Sequence, residues 1–162
     1  MSDRPDRGPV DVTFAVVDPR GPEAVASVQS YFDELDRRFS TGFDPGDALD
    51  SDAPLFDAPA GAFVLARHEK RPVACGGVQR LSAGVAEIKR MWVAPGHRGR
   101  GLGKRMLREL ERHASDMGCG TVRLDTNSVL TEAIAMYERA GYVEIERYND
   151  NPYALRFFEK RL

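Results

Sequence analysis

Residues 85–114 read VAEIKRMWVAPGHRGRGLGKRMLRELERHA, and this stretch decides the fold. VAEIKRMWV is a β-type run that stops at Pro95. A glycine-rich loop follows and opens a helix in which Leu102, Met106, Leu110, Ala114 and Met117 recur on one face, and Gly118 ends it. Gly99, Gly101 and Gly103 let the backbone approach a ligand closely, and the loop presents unpaired N–H groups at the positive end of the helix. That is an anion cradle. Arg98, Arg100 and Lys104 add positive charge around it, which suits a pyrophosphate better than a single carboxylate. The spacing is neither that of a P-loop nor that of a GxGxxG dinucleotide fingerprint.

Upstream, residues 1–10 are polar and aperiodic and are expected to form a disordered leader to one domain spanning 11–162. VTFAVVD predicts a strand. Pro22 starts a helix whose Val25, Val28, Tyr31, Phe32, Leu35 and Phe39 form an apolar face through Ser40. Residues 41–61 carry proline, glycine and aspartate without a period and read as a loop, more a solvated linker than a binding element. AFVLARHE, RPVACGGVQRL and VAEIKRMWV predict an antiparallel meander. TVRLDT, the helix TEAIAMYERA, YVEIE and YALRFFEKRL complete an α+β chain without internal repeats.

Of 162 residues, 42% are hydrophobic and 30% charged, enough for one sizeable core. No apolar run is long enough to span a membrane, and the start lacks the apolar core of a signal peptide, so a cytoplasmic location is expected. Cys75 and Cys119 fit neither a disulfide framework nor a CxxC site, and His68, His97 and His113 are too scattered for a metal. The net charge of −2 argues against general nucleic-acid binding. Basic residues concentrate instead between Gly96 and His113, where Arg98, Arg100, Lys104, Arg105, Arg108 and Arg112 face only Glu109 and Glu111.

The run Arg98 to Gly103 is Arg-x-x-Gly-x-Gly placed between a strand and an amphipathic helix, and EAIAMYERAGY follows downstream as A-x-x-x-Y-x-x-x-G-[FY]. In these blocks, and in AEIKRMWV and VRLDT, the chain resembles the GCN5-related N-acetyltransferase (GNAT) superfamily from Phe63 to Leu162. The resemblance implies a mixed, mostly antiparallel sheet splayed at its fourth strand, with helices on both faces. It implies direct transfer of an acetyl group from acetyl-CoA to an amine. It assigns the coenzyme to the main chain of Met91, Trp92 and Val93, and to Arg98, Gly99, Arg100, Gly101, Leu102, Gly103 and Lys104. Many members carry Asn where this chain has Leu130; Asn127 either takes over that contact or caps the following helix.

The resemblance makes Tyr137 the acid that returns a proton to the departing thiolate. Glu87 stands eleven residues before Arg98, the separation of the base glutamate in histone-acetylating members, and is the candidate base. Strand alternation groups Glu87, Lys89 and Met91 on one face and Ile88, Arg90 and Trp92 on the other, so a Glu87–Lys89 ion pair is the competing reading. Neither cysteine lies beside a histidine or a helix N-terminus, which favours direct transfer over an acetyl-cysteine route.

The acceptor is expected to be the primary amine of a small or amino-acid-like molecule. It would be held by Asp33, Glu34, Asp36, Arg37 or Arg38 on the first helix and by the turn containing Tyr148, Asn149, Asp150, Asn151 and Tyr153. A protein lysine or N-terminus, or a non-catalytic acyl-CoA sensor, are the alternatives. A homodimer through an open sheet edge at the final strands is a further expectation.

Overall fold

The computed structural model describes residues 11–162, so the expected leader lies outside the described residues. Its elements are β1 (Thr13–Val17), α1 (Pro22–Arg38), α2 (Ala48–Ser51), β2 (Gly61–His68), β3 (Arg71–Ser82), β4 (Val85–Val93), α3 (Leu102–Asp116), β5 (Thr121–Thr126), α4 (Thr131–Arg139), β6 (Val143–Ile145) and β7 (Arg156–Arg161). The strands form one sheet in the order β1-β2-β3-β4-β5-β7-β6, antiparallel throughout except for β4 beside β5. This is the mixed, mostly antiparallel α+β architecture expected. β7 lies inside the sheet, between β5 and β6, so the edges are β1 and β6 rather than the last strand.

β2 is buried on both sides, which is why its sequence reads as a continuous apolar run instead of alternating. Ala62, Val64 and Ala66 pack with Leu102, Met106, Leu107 and Leu110 of α3. Phe63 and Leu65 pack with Ala24, Val28, Phe32 and Leu35 of α1 on the opposite face.

The segment 41–61 is not a solvated linker. It carries α2 and a 3-10 turn over Ala53–Phe56, with Ala53 and Phe56 buried. Phe56 lies so close to Gly77 that a Cβ there would come within 2.4 Å of the ring. Its anchors are single residues without periodicity, which leaves no helical or strand signal in the sequence.

β4 departs from simple alternation as well. Lys89 pairs with Gly77 and Trp92 with Cys75, so Arg90 and Met91 together oppose Gly76 as a β-bulge, with Arg90 at φ 59°. The extra residue breaks the expected alternation. Met91 and Val93 pack on the α3 side with Ile88, whereas Trp92 packs on the α1 side. There the Arg90 guanidinium lies over the rings of Phe32 (5.2 Å) and Phe56 (5.6 Å). Beyond the bulge the sheet opens: β4 pairs with β5 only through Val85, Ala86 and Glu87.

Candidate functional site

The seam between β4 and β5 points at the glycine loop. Gly99 and Gly101 have φ of 77° and 76°, in the left-handed region, and a Cβ at either would meet nothing within 4 Å. Among the described residues, the N–H groups of Gly99, Arg100, Gly101, Leu102, Gly103 and Lys104 make no hydrogen bond; the first return bond of α3 runs from Arg105 to the Gly101 carbonyl at 3.1 Å. No side chain caps the helix. This combination of free amides, open space and a helix N-terminus fits a diphosphate. Arg100 adds a buried Nε without a partner, and Lys104 is exposed beside it.

The other predicted coenzyme residues are placed differently. Arg98 turns inward: its Nε donates to the Val93 carbonyl at 2.9 Å and its guanidinium pairs with Glu34 of α1. Leu102 is core. Gly103 serves packing, since a Cβ there would sit 2.9 Å from Met136 Sδ of α4. Trp92 lines a groove against Pro22, Ser27, Ser30 and Pro72, with its Nε1 buried and unpartnered. Asn127 spends its amide locally, donating from Nδ2 to the Tyr153 carbonyl (2.8 Å) and accepting at Oδ1 from the Val129 N–H (3.0 Å). It shapes the turn before α4, whose N-cap position is Leu130.

Tyr137 is 7% exposed, between Tyr142 and Phe158, and its hydroxyl has no hydrogen-bond partner among the described residues. Burial, and secondarily the Asp125 carboxylate, push its pKa well above that of an ordinary tyrosine. Tyr31 of α1 is shifted upward too, by burial first and then by Tyr137 and Asp125. Asp125, near the end of β5, accepts from Asn149 Nδ2 at 2.6 Å.

Glu87 is 4% exposed and does not pair with Lys89. It accepts from Gln79 Nε2 at 3.0 Å and from the Tyr148 hydroxyl at 2.7 Å. Lys89 turns to Asp52 (3.7 Å), which also holds Arg90 (2.7 Å), so the α2 segment is latched to the bulge. Burial and then the Glu87 charge keep the Tyr148 hydroxyl firmly protonated.

The acids of α1 are used internally. Glu34 pairs with Arg98 and Arg38, Asp36 accepts from the Phe43 N–H (2.8 Å), and Asp33 accepts from Gln29 (2.9 Å). Arg38 is held by Glu34, Glu132 and the Val129 carbonyl, which leaves it unsuited to clamp an acceptor carboxylate. Cys75 is fully buried, donates to the Arg90 carbonyl at 3.4 Å and has its thiol pKa pushed up to about 12 by burial. Among the described residues no three His, Cys, Asp or Glu side chains gather as metal ligands, and no helix is long and apolar enough to cross a membrane.

Asp125 lies in no catalytic or binding motif of the sequence. The signal was the alternation in TVRLDT, which places Thr121, Arg123 and Asp125 on one face, combined with the pairing of Glu87 with Arg123.

A family model described as "Acetyltransferase (GNAT) family" matches residues 28–142. An uncharacterized N-acetyltransferase of Escherichia coli, YjgM, is 31% identical over 101 residues, covering 60% of each chain. An IAA acetyltransferase of Azospirillum brasilense is 29% identical over 140 residues, covering 84% of this chain and 91% of that one. The crystal structure of a GNAT-family acetyltransferase from Staphylococcus aureus superposes with a TM-score of 0.80 at 17% identity, covering 93% of this chain and 99% of that one.

Proposed function

Because the chain belongs to the GNAT acetyltransferase family, we propose that this acyltransferase moves an acetyl group from acetyl-CoA directly to the primary amine of a small molecule. Acetyl-CoA supplies the thioester that is the acyl donor.

The observation that carries this reading is the open β4–β5 seam. It runs from the free amides of Gly99 to Lys104 at one end to the unpartnered Tyr137 hydroxyl. The loop amides, with Arg100 and Lys104, are assigned to the diphosphate. The main chain of Met91 and Val93, beyond the last β4–β5 pair, is assigned to the pantetheine arm and the thioester carbonyl. Tyr137 donates a proton to the departing sulfur, a role suited by the raised pKa that keeps its hydroxyl neutral. Glu87 is assigned to accept the amine's proton; with each oxygen already hydrogen-bonded, it does so through water. The buried, weakly acidic Cys75 thiol supports direct transfer over an acetyl-cysteine route.

Calorimetric titration with acetyl-CoA, followed by thiol release against amines, amino acids and lysine peptides, tests the reading. Binding with release on small amines is expected. Absence of binding overturns it, release only on peptides assigns a protein acceptor, and binding without release on any acceptor leaves a coenzyme sensor.

A further inference from the structure

Among the described residues, two carboxylates on the α1 face of the seam have no ion-pair partner. Glu87 is bound by Gln79 and Tyr148, both neutral donors, and Asp125 by Asn149 Nδ2 at 2.6 Å, also neutral. Cations stand nearby, and each is committed elsewhere. Arg90 and Lys89 turn to Asp52, Arg123 pairs with Glu159 at 2.8 Å, and Arg147 donates to the carbonyls of Asn149, Asn151 and Ala154. A carboxylate removed from bulk water without an ionic partner is costly unless a cation completes it.

Glu87 and Asp125 differ in access. Glu87 is 4% exposed and covered by the Tyr148 side chain, with both oxygens engaged. Asp125 is half-buried and is anchored through Oδ2 alone, which leaves Oδ1 for a ligand. On β5 it lies two residues past Arg123, which stands opposite Glu87 in the strand register, at the point where β4 and β5 part. A second feature bears on the same carboxylate. Tyr137 is 7% exposed, its hydroxyl has no hydrogen-bond partner among the described residues, and the Asp125 carboxylate adds to burial in raising its pKa.

Resting on the transfer reading above, we infer that Asp125 is the seat of the acceptor's ammonium group, so that the enzyme selects compact aliphatic amines and disfavours those that also carry a carboxylate. The Asn149 amide holds Oδ2 while Oδ1 receives the ammonium. The nitrogen then waits beside Tyr137, at the mouth of the seam, before it gives up its proton. A carboxylate on the acceptor would meet Glu87 and Asp125, while Arg90, Arg123 and Arg147 are engaged elsewhere.

The test uses the full chain saturated with CoA and three probes of similar length: butylamine, 1,4-diaminobutane and 4-aminobutanoate. Each is titrated calorimetrically into the wild type and Asp125→Asn, and each is assayed with acetyl-CoA. The expected result is tighter binding of the two carboxylate-free amines than of 4-aminobutanoate. Asp125→Asn is expected to weaken amine binding, and to raise the amine KM, at least tenfold, with the CoA affinity and Tm unchanged. Asp125→Ser serves if the asparagine variant fails to fold. Equal amine binding by wild type and variant overturns the inference, as does a fall in kcat with KM unchanged, which would make Asp125 a base and not a binding residue. Preference for 4-aminobutanoate, or no binding of any probe, overturns it too. Repeating the titrations without coenzyme separates the two proposals: loss of CoA binding with Asp125-dependent amine binding intact sinks the transfer reading alone.

Discussion

The Tyr148 hydroxyl, from the turn before β7, donates to Glu87 of β4 at 2.7 Å. This bond spans the seam and ties the turn to the candidate base. Glu87 is further fixed by Gln79 on β3, so its carboxylate has one defined orientation. Removing Tyr148's hydroxyl frees Oε2 without emptying the space its ring fills against Phe157. Tyr148→Phe is therefore expected to lower kcat about tenfold while leaving acetyl-CoA affinity unchanged, and Glu87→Gln to lower it by about 10²-fold. Steady-state kinetics on the best amine acceptor decide; full activity of Glu87→Gln removes Glu87 from the chemistry.

Tyr137 makes two separable predictions. As the acid it should be indispensable, and Tyr137→Phe should reduce kcat by about 10²-fold or more with coenzyme binding intact. Its raised pKa also predicts the pH behaviour. In the unfolded chain the phenol ionises near pH 10, whereas burial delays ionisation in the folded protein, so stability is full below about pH 10 and falls as pH rises beyond it. Tyr31, Tyr142 and Tyr148 are shifted the same way, each chiefly by burial. Urea midpoints at pH 9, 10 and 11 should fall in that order. A flat profile contradicts the buried phenols, and an alkaline loss of kcat centred below pH 9 that vanishes in Tyr137→Phe contradicts the neutral acid.

The glycine loop, the strand before it and the Tyr137 block were legible because their information is local. Glycine spacing fixes backbone approach, and helical periodicity fixes the buried face of α3. What escaped the sequence is non-local. One extra residue at Arg90 and Met91 turns over the remainder of β4, and nothing in EIKRMWV announces it. The partners of Glu87 come from β3 and from the β6–β7 turn, so Lys89, two residues away on the chain, was the visible candidate and the wrong one. The 41–61 segment is ordered by Phe56 against Gly77 and by Asp52 against Arg90, pairs that no local pattern encodes.

Arg98 and Arg100 belong to one motif and are expected to fail differently. Arg98 joins the Val93 carbonyl to Glu34 and so links the loop to α1. Its side chain is 37% exposed, so Arg98→Ala should cost about 1 kcal/mol of stability after solvent screening. Arg100 has an unsatisfied Nε at the cradle, and Arg100→Ala should weaken acetyl-CoA binding about tenfold with little change in Tm. Calorimetry and thermal denaturation of both variants check the division. Equal losses of coenzyme affinity would place Arg98 on the diphosphate instead.

The Arg90–Asp52 pair predicts a stability effect far from the glycine loop. The Arg90 side chain is 7% exposed, and burial lowers its pKa because Phe32 and Phe56 replace water around the guanidinium. Asp52 accepts from it at 2.7 Å, and among the described residues the only other acceptor that Arg90 reaches is the Ala48 carbonyl. Asp52→Ala would leave a buried cation without its counter-ion, a change worth about 3 kcal/mol. Asp52→Asn keeps an acceptor and should cost less, and adding Arg90→Met to Asp52→Ala should recover most of the loss by removing the stranded charge. Urea denaturation of the three variants measures this. If Asp52→Ala stays within about 0.5 kcal/mol of the wild type, the range of an ordinary surface substitution, the latch between α2 and the β4 bulge contributes nothing, and the seam must hold its shape by strand pairing alone.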